Sequence, residues 1–284
     1  MWVLSSKHEY MSQNILNKVA ETFRPTPVMP VLFLGHGSPM NAIQENEFVA
    51  GFRRVAAELP RPAAILCVSA HWETRGTQLT AMENPFTIHD FGGFPKALYE
   101  VQYPAPGSPA LAELARETVQ SYNLEPNHSW GLDHGAWSVL RHLYPEAEVP
   151  VVQMSLDYLQ TTEYHYNLAH ELQPLRERGV LIVGSGNMVH NLRMVDWQQI
   201  NKPYAYDWAE EASHKMKQFL LDGDHKQLIN YRCHGKAFEN AIPTPEHYLP
   251  LLYAVGLQKP GEKLELFNDK PLGGSLTMTS LKIG

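Results

Sequence analysis

Apolar residues recur along this chain in two rhythms. Short uninterrupted runs at residues 31–35, 63–70, 149–156 and 180–183 have the length and β-branched content of strands buried on both faces. Residues 78–81 and 275–280 read as weaker strands. Between these runs the spacing changes to helical. Phe48, Phe52, Val55 and Leu59 fall at i, i+4, i+7 and i+11, which predicts a helix over 41–59. Further helices are predicted over 109–122, 136–143, 162–178, 206–221 and 246–255, the third of them ending at Gly179 and the last starting after Pro243-Thr-Pro245. Strand and helix alternate throughout, so the expected fold is α/β, a single domain with a mixed central β-sheet flanked by helices on both faces.

The first 28 residues carry no pattern beyond a possible short helix over 14–23, and organised structure is expected from residue 29 to residue 284. Residues 84–107 form a long connection rich in proline, glycine and aromatics, including Phe86, Phe91, Phe94 and Tyr99. Connections of that length in a compact domain are usually lids or binding loops.

Composition narrows the class. Hydrophobic content of 44% with 19% charged residues fits an ordinary globular protein. A net charge of −7 without a long basic cluster argues against nucleic acid or an anionic membrane as partner. Apolar runs are too short to cross a bilayer, and the N-terminus lacks a secretory pattern. The two cysteines, Cys67 in an apolar run and Cys233 in Tyr-Arg-Cys-His-Gly, make no zinc or disulfide pattern. Cys67 is expected in the core and Cys233 in a structural role. A reducing, cytoplasmic location is the resulting expectation.

Histidine is the unusual residue, with 14 copies. His8, His128, His165, His170, His214 and His225 lie in polar or helical stretches and are expected at the surface. Four others sit at strand ends or in loops: His36 in Leu-Gly-His-Gly-Ser-Pro, His71 in Val-Ser-Ala-His-Trp-Glu, His190 in Gly-Ser-Gly-Asn-Met-Val-His-Asn, and His247 in Pro-Thr-Pro-Glu-His-Tyr. In open α/β sheets, ligands gather at the carboxyl ends of strands, and neutral imidazole is both a metal ligand and a base. These positions suggest a mononuclear metal enzyme. Glu73 could orient an imidazole or lie solvated in a loop. The Gly184-Ser-Gly186 pair could form a nest of N–H groups or a tight turn. Asp133 suits a helix cap, and His134 beside it suits a hydrogen bond to substrate. Between Glu246 and His247 only one is expected to face the metal. A two-histidine, one-carboxylate iron site favours Glu246, and a three-histidine site favours His247.

Taken in order, Gly35-His-Gly-Ser-Pro39, Ser69-Ala-His-Trp72, Asp133-His-Gly135, Gly184-Ser-Gly-Asn187 with His190, and Pro245-Glu-His247 resemble the class III extradiol ring-cleavage dioxygenases, in particular their 4,5-DOPA dioxygenase branch. The resemblance covers about nine-tenths of the chain, from residue 29 onward. It implies one Fe(2+) or Zn(2+) held by His36, His71 and His247, with His190 as general base or fourth ligand. It implies His134 as an acid/base or hydrogen-bond donor beside the substrate, and a catechol and dioxygen as reactants. For DOPA the product would be a seco-DOPA aldehyde. The competing expectations are a zinc hydrolase or deaminase using Glu73 or Glu246 as base, and a non-catalytic metal-binding protein.

Overall fold

Alternate residues of the central strands belong to two different hydrophobic cores. Val31 and Phe33 pack with Leu66, Val68, Val152 and Ile182 on one side, whereas Leu32 and Leu34 pack with Ile65, Cys67, Leu181 and Val183 on the other. Strand side chains alternate between faces, so both faces of this sheet are covered. The computed structural model describes Val19, residues 21–200 and residues 202–284.

The strands are β1 (Val31–Gly35), β2 (Ala64–Thr74), β3 (Thr77–Thr80), β4 (Leu124–Asn127), β5 (Val151–Asp157), β6 (Val180–Gly186), β7 (Leu264–Phe267), β8 (Pro271–Leu272), β9 (Leu276–Thr277) and β10 (Ser280–Ile283). Eight of them form one sheet in the order β4-β3-β5-β2-β6-β1-β10-β7, and β8 and β9 form a small hairpin. The pairs β5/β2, β2/β6 and β6/β1 are parallel, while β10 runs antiparallel to both β1 and β7. The sheet is mixed, as expected, and its parallel centre points four carboxyl ends the same way.

The α-helices among the described residues are α1 (Glu47–Glu58), α2 (Lys96–Tyr99), α3 (Pro109–Thr118), α4 (His134–Leu143), α5 (Thr162–Leu172), α6 (Asp207–Asp222), α7 (His225–Ile229), α8 (Lys236–Ala241) and α9 (Leu249–Gly256). Helices α1 and α4 cover one face; α3, α5, α6 and α9 cover the other. Among the described residues no helix is long and apolar enough to cross a membrane.

Several sequence expectations need correction. The helix expected over 41–59 is two pieces, a 3₁₀ turn at Pro39–Ala42 and α1, because the Asn46 side chain caps α1 by accepting from the N–H groups of Phe48 and Val49. The one expected over 162–178 turns 3₁₀ at Gln173, where Pro174 offers no N–H, and stops at Gly179 in the left-handed region. The strand expected over 275–280 divides between β9 and β10. The C-terminal helix begins at Leu249, three residues later than expected, so His247 lies in the preceding turn. Residues 84–107 contain α2 and a bridge between Thr87 and Leu132. His165 is fully buried and not at the surface, with Nδ1 bonded to the Tyr253 hydroxyl at 3.0 Å, and His225 is half-buried. Cys67 is buried as expected, whereas Cys233 is exposed. The expected helix over 14–23 lies mostly outside the described residues, as does His8. Of the first 28 residues, Phe23 is buried in the larger core and the Thr26 N–H donates to the Glu177 carbonyl.

Candidate metal centre

The end of β1, a bulge in β2 and the turn before α9 bring the imidazoles together. His36 follows β1, its N–H donating to the carbonyl of Gly186 at the end of β6. His71 lies inside β2, not beyond it, at the point where the register with β5 shifts between Val68 and Glu73. Such a bulge re-aims a side chain. His247 approaches from the turn before α9, its carbonyl accepting the Asn187 N–H at 2.8 Å. That approach needs Gly186: a Cβ there would stand 2.1 Å from the His247 carbonyl oxygen. The glycines of Gly184-Ser-Gly186 thus form the end of a strand against α9 rather than a nest for an oxyanion.

The Nε2 atoms of His36 and His71 are 3.3 Å apart. One ligand nitrogen from each of His36, His71 and His247 lies within 4.8 Å of the others. A second such group joins His190, Glu246 and His247, and a third joins His71, Asp90 and His134. His190 lies stacked on His247, and the His134 ring centroid is 3.8 Å from that of His71. All five imidazoles singled out in the sequence therefore meet in one place.

Partner chemistry fixes which nitrogen of each ring is free. The Ser185 hydroxyl donates to the Gly135 carbonyl at 2.5 Å, so toward His36 Nδ1, 3.0 Å away, it presents an oxygen lone pair. His36 is then protonated on Nδ1 and bare on Nε2. His247 Nδ1 faces Glu246 Oε1 at 3.3 Å, and His71 Nδ1 faces Asp90 Oδ2 at 3.8 Å. In all three rings Nδ1 is turned to an acceptor, and the Nε2 atoms of His36 and His71 meet. A carboxylate or hydroxyl behind an imidazole is the usual support for a metal-binding histidine. At Pro245-Glu-His247 the imidazole joins His36 and His71, and the Glu246 carboxylate lies beside its Nδ1 and groups with His190 and His247.

Burial and mutual repulsion keep these rings neutral. Burial, then the charges of His71 and His247, holds His36 well below the usual imidazole range. Burial and His134 bring His71 to about 3, and burial brings His190 to about 4 against the pull of Glu246. His247 is also held well down, first by burial and then by His190. Three imidazole nitrogens, with His36 and His247 buried and His71 half-buried, lie within 4.8 Å of one another, and a divalent cation fits that donor set.

The surroundings are fixed from below and covered from one side. Asp133 caps α4 by accepting the Ala136 N–H at 3.0 Å, as expected; the same oxygen takes the Ser69 hydroxyl at 2.7 Å and the other is bonded by Gln153. Burial and then Asp90 raise its pKa to about 6. The aromatic connection reaches the site at Phe91, whose ring meets His134 edge-on at 5.5 Å and Phe94 at 5.4 Å. Phe86 and Tyr99 of the same segment are exposed, and so is Glu73, which makes no bond to an imidazole. Burial and Glu246 raise the Glu73 carboxyl. Sequence reasoning missed Asp90, which contacts both His71 and His134. Its only signal is one acidic residue within Ile-His-Asp-Phe-Gly-Gly-Phe, and nothing local pairs it with a histidine 44 positions away.

An α/β sheet whose carboxyl ends gather imidazoles around a cation site defines a class of metal-dependent enzymes, and the chain belongs to the family described as the catalytic LigB subunit of aromatic ring-opening dioxygenase, which matches residues 27–274. It is an extradiol dioxygenase. It is 47% identical over 261 residues to the 4,5-DOPA dioxygenase extradiol of Escherichia coli K12, covering 90% of this chain and 95% of that one. The protein of the same name from Beta vulgaris is 35% identical over 268 residues, covering 90% and 96%. The crystal structure of the uncharacterized protein JW3007 from E. coli K12 superposes with a TM-score of 0.79 at 40% identity, covering 90% of this chain and all of that chain.

Proposed function

We propose that this protein opens the ring of a catechol beside its hydroxyl pair, inserting both atoms of dioxygen, with DOPA as substrate and a seco-DOPA aldehyde as product. The observation that carries the reading is the convergence of one ligand nitrogen each from His36, His71 and His247 in a chain this similar to 4,5-DOPA dioxygenases. These three residues hold one divalent metal, Fe(2+) for turnover, with Zn(2+) able to take its place. When bound, the metal supplies positive charge that acidifies the catechol hydroxyls and open positions for substrate and dioxygen.

The chain's own groups do the remaining work. His190, neutral at physiological pH and stacked beside His247, takes a hydroxyl proton from the catechol. Phe91, edge-on to His134 and within the aromatic segment, lies against the substrate ring and limits water. His134, whose ring lies against that of His71, contacts the substrate as an acid/base or hydrogen-bonding group. The catalytic domain is taken as residues 29–284, with 1–28 as an extension. The test is anaerobic reconstitution with Fe(2+) followed by an oxygen-electrode screen of catechols. Oxygen uptake and a yellow ring-opened chromophore with DOPA are expected; no uptake with any catechol would end the proposal.

A further inference from the structure

The Asp90 carboxylate grips His134 at two points. Oδ2 stands 2.9 Å from His134 Nδ1, and Oδ1 accepts the His134 backbone N–H at 2.8 Å. His134 is the first residue of α4, so that N–H is one of the donors a helix cannot satisfy internally. Asp133 takes the Ala136 N–H, and Asp90 takes this one. An ionised carboxylate at a helix N-terminus is in a favourable field. A carboxylate accepts and does not donate, so the nitrogen facing it carries the proton.

We infer that Asp90 is a positioning residue that holds a proton on Nδ1 of His134, so that the ring in its neutral form presents a hydrogen-bond acceptor, Nε2, to a substrate hydroxyl. This reverses the donor role that the sequence suggested for the neutral ring. Nε2 makes no hydrogen bond among the described residues and is not among the buried polar atoms left without a partner, so it remains accessible. The ring cannot turn away, because His71 lies against one side at 3.8 Å between centroids and the Phe91 ring stands edge-on at 5.5 Å. Asp90 and Phe91 are adjacent in the aromatic segment, and that segment is tied down beside α4 by the Trp137 indole N–H donating to the Ile88 carbonyl at 2.8 Å. Seating the segment therefore sets the polarity of His134 and places an aromatic wall beside it in one step. The inference deepens the ring-cleavage reading and rests on it only for the identity of the hydroxyl.

The experiment is long-range proton–nitrogen NMR on zinc-loaded protein with 15N-labelled histidines, with the His134 signals assigned by their loss in His134→Gln. The wild-type spectrum is expected to show the proton on Nδ1 and a pyridine-like Nε2. In Asp90→Asn the amide NH₂ faces Nδ1 as a donor, and the proton is expected to move to Nε2. Iron-loaded Asp90→Asn should lose about 10- to 100-fold in kcat/KM per bound iron, as removal of a carboxylate behind a working imidazole does elsewhere, with partial recovery in Asp90→Glu; because Asp90 also faces His71 Nδ1 at 3.8 Å, metal content is measured alongside. A wild-type ring protonated on Nε2, or an unchanged tautomer in Asp90→Asn, overturns the inference. Should the variant fail to fold, the wild-type spectrum decides alone. Absence of oxygen uptake by the wild type would sink the ring-cleavage reading and leave the tautomer result standing.

Discussion

His190 lies flat against His247, ring centroids 3.5 Å apart and planes 7° apart. Two parallel imidazoles at that distance cannot both carry a proton's charge in a buried site, so one is free to take a proton only while the other stays neutral. A cation on His247 would oppose a proton arriving on His190, and the Glu246 carboxylate grouped with both rings offsets that charge. The roles separate by mutation. His36→Ala, His71→Ala and His247→Ala should each lose bound metal, whereas His190→Ala should keep most of it and lose turnover. Metal analysis of the purified variants alongside oxygen uptake checks this; equal metal loss in His190→Ala would make it a ligand instead.

Gly135 offers a test of packing against propensity. Within a helix, alanine is favoured over glycine by about 1 kcal/mol. Here a Cβ would stand 2.5 Å from Ser69 Oγ and 2.7 Å from His71 Cδ2. Gly135→Ala is therefore expected to displace His71 and weaken metal binding despite the better helix former. Chelator competition on the zinc-loaded protein measures it; unchanged affinity would show that His71 has room to move.

The Phe91 and Phe94 rings are half-buried, in contact with each other and, through Phe91, with His134. Replacing both by alanine removes the aromatic wall without touching a metal-facing nitrogen. The double variant should raise KM for DOPA several-fold more than it lowers kcat. Steady-state oxygen uptake reads both, and an unchanged KM would place the substrate ring elsewhere.

Buried His165 makes stability depend on pH. Burial lowers its pKa from 6.5 to about 4, against a smaller opposing pull from Asp157. The unfolded chain therefore binds this proton first, and the associated stability is full above pH 6.5 and lost as pH falls through about 4. At about 1.4 kcal/mol per unit, the loss attributable to this residue is about 3 kcal/mol. Urea unfolding of metal-free wild type and His165→Gln at pH 7 and pH 4 isolates it, since the cluster histidines contribute alike to both. A difference that does not change with pH would contradict the assignment.

Local patterning carried the centre of this fold and little of its rim. The runs around Leu32 and Leu66 are uninterrupted because those strands are covered on both faces, and period and length suffice to find them. Strand β7, Leu264–Phe267, went unrecognised because it lies at the sheet edge with a polar residue between apolar ones and only four positions. His36 and His71 were legible from strand and imidazole together, His134 and His190 from nearby glycines, and His247 only from its place after Pro243-Thr-Pro245. What joins them was not. The shift in β2 that turns His71 inward comes from pairing with β5, and the Asp90–His134 bond spans two segments whose contact no local period encodes. His165 was misplaced because a histidine in a polar helix looks solvated until α5 is seen packed against Tyr253 of α9.

The most direct test of the account is the fate of dioxygen. Iron-loaded protein given DOPA under 18O₂ should yield a ring-opened product in which mass spectrometry finds both labelled atoms before exchange with water, and His36→Ala should yield none. Product carrying no label, or an intact ring oxidised to a quinone, would contradict it.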